Sequence, residues 1–178
     1  MSRAVLISIR PKWCELIASG KKTVEVRKTA PHLKTPFKCY IYCTNKGDTL
    51  YSVNGKVQPC NSFEINLKEN SRVSELNGYV IGDFVCDRIF PIQLTEEGYD
   101  YESEKETGLR YEEMSSYLNF RNGYGWHISD LVIYDEPMKL SDIHHDCSQC
   151  GYVNARWTNC DFIIKRPPQS WCYVGCAP

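Results

Sequence analysis

The sequence has no run of eighteen apolar residues, so it offers no candidate membrane-spanning helix. Its opening residues, MSRAVLISIR, lack the long apolar core and small-residue cleavage site of a secretory signal, and a cytoplasmic protein is expected. Net charge is only -1, which excludes the broad basic field that drives non-specific nucleic-acid binding. Any site for RNA or a nucleotide must therefore be local. The H-x-E and P-C-x-x-C pattern of zinc deaminases is missing. No internal repeat is visible, and no succession of strand-helix-strand units suggests a doubly wound parallel sheet.

What is present is a chain of 178 residues, enough for one domain with a core that needs no disulfide staples. Twelve Tyr and four Trp supply material for a core or for base-stacking platforms. Ten Cys are many for a reducing compartment, where free thiols or metal ligands are expected rather than disulfides.

VLISI (5–9) reads as a strand that ends at Arg10-Pro11. PKWCELIASG (11–20) reads as a short helix, with Trp13, Leu16 and Ile17 on one face and Gly20 as its cap. KTVEVRK (22–28) and FKCYIYCT (37–44) follow as strands. Residues 45–77 turn polar, with NKGD and NGK as turn signals, and read as an inserted hairpin or loop. GYVIGDFVCDRIFPIQL (78–94) reads as a long strand bulged near Gly82, and EEGYDYESEKETG (96–108) as a surface loop. LRYEEMSSYLNF (109–120) reads as a second helix burying Leu109, Met114, Tyr117 and Leu118. NGYGWHISDLVIYDEPMKLSDI (122–143) and SWCYV (170–174) read as further strands. The fold class expected is α+β: a small mixed β-barrel with short flanking helices.

GKKTVEVRK (20–28) carries the most functional information. Alternation puts Thr23, Glu25 and Arg27 on one face and Val24 and Val26 on the other. Glu25 paired with Arg27 would hold the guanidinium in one pose, and with a mobile Lys22 the set suits a phosphate or a carbonyl-rich base edge. The ordinary alternative is a half-buried strand with its charges in water. Arg10 and Trp126 are further candidates for nucleotide binding, one at a strand end and one in the glycine-flexible GYGWHI turn. The alternatives there are a surface Arg and a core Trp.

In the last 32 residues, Cys147 and Cys150 form a C-x2-C pair, with Cys160 ten positions after Cys150. That spacing suits tetrahedral zinc, with Cys172, Cys176, His144 or His145 open as the fourth ligand. The set Cys147, Cys150, Cys160 and Cys172 points to a structural zinc; buried free thiols or a disulfide are the alternatives. Cys14, Cys39, Cys43 and Cys86 have no ligand spacing and are expected in the core.

The helix ending in G-K-K-T-x-E-x-R, together with YVIGDFVCDRI, YEEMSSYL, GYGWHISDLVIYDEP and PPQSWCYV, resembles the ASCH domain, a branch of the PUA-like superfamily. The resemblance spans most of the chain as a single domain. It leaves 45–77 and a Cys-rich segment, 144–162, as insertions. It implies a PUA-like pseudobarrel with a cleft that binds RNA or a modified nucleoside, and no membrane partner. It also implies alternative activities, an acetylcytidine-type amidohydrolase or a ribonuclease. On that resemblance, Lys22, Glu25 and Glu113 are the catalytic candidates, with Glu112 a rival to Glu113. Glu25 stands where the amidohydrolase pattern has a nucleophilic Thr, so it would have to act as a base on water instead.

Overall fold

A computed structural model describes residues 3–58, 71–95, 101–145 and 163–175, with Tyr101 and Glu102 described in backbone only. Strand β1 (Arg3–Ile9) leads through Pro11 at the first helical position into α1 (Pro11–Ala18). Then come β2 (Val24–Arg27), β3 (Phe37–Cys43), β4 (Tyr51–Val53), β5 (Lys56–Val57), β6 (Val73–Glu75) and β7 (Tyr79–Ile92). Helices α2 (Tyr101–Thr107) and α3 (Tyr111–Leu118) precede β8 (Gly123–Lys139), a short 3-10 turn (Leu140–Asp142) and β9 (Trp171–Gly175).

Six strands form one mixed sheet in the order β2-β8-β7-β3-β1-β9, and β1 and β3 are its parallel pair. The α+β class agrees with the sequence reading. Barrel closure does not: among the described residues no ladder joins the edge strands β2 and β9. The sheet instead curls until side chains span the gap. Arg27 Nη2 on β2 donates to the Ser8 carbonyl on β1 at 2.7 Å, and Trp171 Nε1 on β9 donates to Thr29 Oγ1 at 3.1 Å.

The long strand β7 carries a register shift between Val80 and Gly82 in its pairing with β8. Gly82 is required there because an added Cβ would lie 2.2 Å from the Val132 carbonyl oxygen. The polar insertion holds a small three-stranded sheet, β5-β4-β6, and residues 59–70 of it lie outside the described residues. The acidic stretch read as a surface loop contains α2 instead. Its charges mask a helix because tertiary contacts hold it: the Thr23 N–H donates to the Glu106 carbonyl at 2.8 Å.

The main core lies inside the curl and includes Val5, Ile7, Ile41, Phe84 and Trp126, together with Cys14, Cys39, Cys43 and Cys86 as expected. A second cluster lies between the sheet and α3, where Val26 packs with Ile92, Leu109, Met114 and Leu118. Tyr117, expected inside, is 37% exposed. Among the described residues no helix is long and apolar enough to cross a membrane.

Candidate functional site

Both faces of β2 are buried, because the strand lies between the α3 cluster and the interior of the curled sheet. Val26 packs in the α3 cluster, so alternation turns Glu25 and Arg27 inward. The half-solvated strand weighed from the pattern is therefore not what forms. Lys22, Glu25 and Arg27 are 2%, 6% and 6% exposed.

Glu25 is the hub. Its Oε2 lies 3.3 Å from Lys22 Nζ and its Oε1 lies 3.0 Å from Arg27 Nη2. The pairing of Glu25 with Arg27 matches the sequence expectation, but the mobile Lys does not. Lys22 Nζ also donates to the Thr107 carbonyl at 2.6 Å, and its ammonium lies 5.4 Å from the centre of the Trp13 ring. Burial drives the Lys22 proton affinity below its ordinary value of 10.5, and Glu25 opposes that shift only in part.

Two cations and one anion leave this interior cluster with a formal excess of one positive charge. It also holds unmet donors: Arg27 Nε and Trp126 Nε1 are buried without a hydrogen-bond partner. Trp126 stands directly opposite Glu25 across the β2–β8 ladder, which puts its side chain on the same inward face. It has no exposed surface and packs against Phe37 and Trp171, with ring centres 6.0 and 5.8 Å away.

Tyr117 of α3 forms the outer side. Its hydroxyl lies against the Arg27 guanidinium and within the fields of Glu25 and Arg10. Desolvation raises its pKa, and Arg27 and Arg10 pull the other way. Arg10 is exposed at the end of β1, so it sits at the rim rather than in the cluster. Thr23 is half-buried just before β2, where its carbonyl accepts from the Ile128 N–H at 2.8 Å.

Glu113 is elsewhere engaged. One oxygen caps α3 by accepting from the Arg110 N–H at 3.3 Å, and the other meets Lys12 Nζ at 3.2 Å. Both partners of that ion pair are more than 40% exposed. Partial burial pushes the Glu113 carboxyl upward, but the Arg110 N–H together with the Lys12 and Arg110 cations holds it below its ordinary value. Glu112, its rival, is exposed.

The structure thus brings Lys22, Glu25, Arg27 and Trp126 together, with Arg10 near Tyr117 and Glu113 on a separate surface contact. Sequence reasoning missed the Ser8 and Thr107 carbonyls, which carry no sequence signal because every residue has one. It also misassigned Tyr117, whose spacing from Met114 on α3 matches a buried stripe.

Of the expected zinc ligands, Cys147, Cys150 and Cys160 lie outside the described residues, as does Cys176. Cys172 is described. It is half-buried, and burial pushes its thiol up to about 11. Among the described residues no three His, Cys, Asp or Glu side chains gather as a metal site.

Comparison with solved structures supports the fold. The ASCH protein of Zymomonas mobilis aligns with a TM-score of 0.55 at 18% identity, over 97% of this chain and 87% of that one. A tyrosine-to-phenylalanine variant of that protein aligns with a TM-score of 0.55 at 17% identity, over 97% and 90% of the two chains. A serine-to-alanine variant gives 0.54 at 17% identity, over 97% and 88%. No curated protein matches the chain. The ASCH domain family model matches residues 7–119, which include the first helix, β2 with its charged cluster, and α3. The chain belongs to the ASCH domain family.

Proposed function

We propose that this protein binds RNA or a modified nucleoside at the Lys22–Glu25–Arg27 cluster. The observation that carries the reading is a buried ion triad with unmet donors. Burying three charges costs several kcal/mol per ion before pairing offsets it, and apolar side chains of similar volume often stabilise as well. A cluster kept at that cost, with Arg27 Nε and Trp126 Nε1 lacking acceptors, suits a ligand that brings acceptors: a keto base edge or a phosphate oxygen. Membership of a family associated with RNA supports the same reading.

The test is titration of short RNAs and of a modified-nucleoside pool against the protein at several salt concentrations. Binding with a shallow salt slope, lost in Lys22→Ala and Arg27→Ala variants that remain folded, is the expected result. Unchanged binding in both variants would overturn the assignment to this cluster.

One observation favours a second reading, hydrolysis of an N-acylated nucleoside or of RNA. Burial lowers the proton affinity of Lys22 beside a carboxylate at 3.3 Å, a setting in which Lys22 and Glu25 can share acid and base roles toward a water. Mass spectrometry of the same pool before and after incubation decides it. A product that requires Lys22 supports the enzyme, and an unchanged pool supports the binding module.

A structural zinc on Cys147, Cys150, Cys160 and Cys172 remains part of the proposal on ligand spacing. One equivalent of zinc in the purified protein by elemental analysis supports it, and none refutes it.

A further inference from the structure

Helix α3 ends in an unusual way. Asn119 has φ 56° and ψ 43°, the left-handed conformation, and Phe120 follows with φ of 55°. Asn119 is compensated, because its amide can donate to the Ser116 carbonyl at 3.3 Å and accept from Lys28 Nζ at 3.2 Å. Phe120 has no such polar side chain. Its N–H closes the helix on the Ser115 carbonyl at 2.8 Å, and a residue in that position commonly packs back onto the helix. Phe120 is instead 81% exposed. An unfavourable backbone and an unburied aromatic ring thus meet at one residue, and strain of this kind gathers at functional sites.

The neighbourhood indicates what the ring is for. Five large hydrophobic side chains are exposed among the described residues, and three of them are Tyr117, Phe120 and Tyr124. Tyr117 lies one helical turn before Phe120 and touches Arg27. Tyr124 stands directly opposite Arg27 across the β2–β8 ladder. Cations are interleaved with these rings: Lys28 Nζ lies 5.5 Å from the centre of the Tyr117 ring, and Arg121 is exposed next to Phe120. The buried centre of a protein–protein interface is depleted of charge. Flat rings among cations suit a chain of flat bases joined by phosphates.

We infer that Phe120 is a stacking platform for an unpaired base adjacent to the nucleotide held at the Lys22–Glu25–Arg27 cluster, so that the ligand is a single-stranded oligonucleotide. This rests on the RNA reading above and narrows it: a free nucleoside would leave Phe120 unused, and a duplex would hide its base faces.

The test is fluorescence anisotropy with a short unstructured RNA, with the same sequence as a duplex, and with the corresponding free nucleoside. Phe120→Ala is expected to weaken single-strand binding by roughly 5- to 100-fold, leaving nucleoside binding unchanged. Phe120→Trp is expected to retain affinity, with its indole emission quenched on binding. The exposed position makes both variants compatible with folding, which thermal melting confirms. Single-strand binding that survives Phe120→Ala overturns the inference and leaves the RNA reading standing. So does a Phe120→Trp variant that remains folded but no longer binds. A wild-type protein that binds the nucleoside but no strand also overturns the inference alone. A wild-type protein that binds neither overturns both.

Discussion

Replacing Glu25 by Gln should expose the electrostatics of the interior. The substitution keeps the shape and removes the anion that lies 3.3 Å from Lys22 and 3.0 Å from Arg27. Removing one partner of a buried pair typically costs about 3–5 kcal/mol, because the remaining charge stays buried. Two cations lose their partner here, so a cost in that range is expected at neutral pH. Its pH dependence follows from Lys22. The buried ammonium already titrates below 10.5, and Glu25 is what limits the shift. Without Glu25 its folded-state value falls further. Between the folded and unfolded values the unfolded chain binds more protons, so stability rises with pH in that window. The gap between variant and parent should therefore be greatest below the window and narrow as pH approaches 10.5, where the Lys22 charge is lost in both states. The narrowing is partial, because Arg27 stays charged throughout. Urea unfolding of both proteins between neutral pH and pH 10 is the assay. A gap under about 1 kcal/mol at neutral pH, or one that does not change with pH, would refute the reasoning.

Three further outcomes are expected. Glu113→Gln should keep the capping interaction of α3 and leave stability within about 0.5 kcal/mol, while Glu113→Ala should cost roughly 1 kcal/mol. RNA binding that is abolished in Glu113→Gln, measured beside its melting curve, would return that residue to the site. Phe120→Gly should relieve the left-handed backbone and raise stability by about 1 kcal/mol in chemical denaturation; a loss of stability would show that the ring contributes packing. Gly82→Ala should cost at least about 2 kcal/mol, because the new methyl would meet backbone at 2.2 Å from the Val132 oxygen and 3.1 Å from the Ile133 Cα, neither of which can move without disturbing the ladder. A melting temperature equal to the parent's would contradict that account.

Much of the architecture was legible in the chain, because it follows from periodicity and punctuation. Alternation marked β2 and β3, Pro11 and Gly20 bracketed α1, and Gly82 marked the irregularity in β7. Helix α2 was not legible, since seven residues that are polar apart from one Tyr give no apolar stripe and depend on contacts with the segment before β2. The order of strands, and the lack among the described residues of a ladder closing the expected barrel, depend on how the sheet curls, which no local pattern encodes.

For the candidate site, the sequence by itself determined that Glu25 and Arg27 share a face and that valines occupy the other, because side-chain direction in a strand has a period of two. Only the tertiary structure decided which face meets water, and the answer was neither. Helix α3 covers Val26, and the curled sheet encloses the charges. That enclosure turns a common charged strand into a buried triad, shifts Lys22, and recruits the Thr107 and Ser8 carbonyls from distant segments. It also separates Glu113 from the cluster, because the capping geometry of α3 directs that carboxylate to Arg110 and Lys12 at the surface.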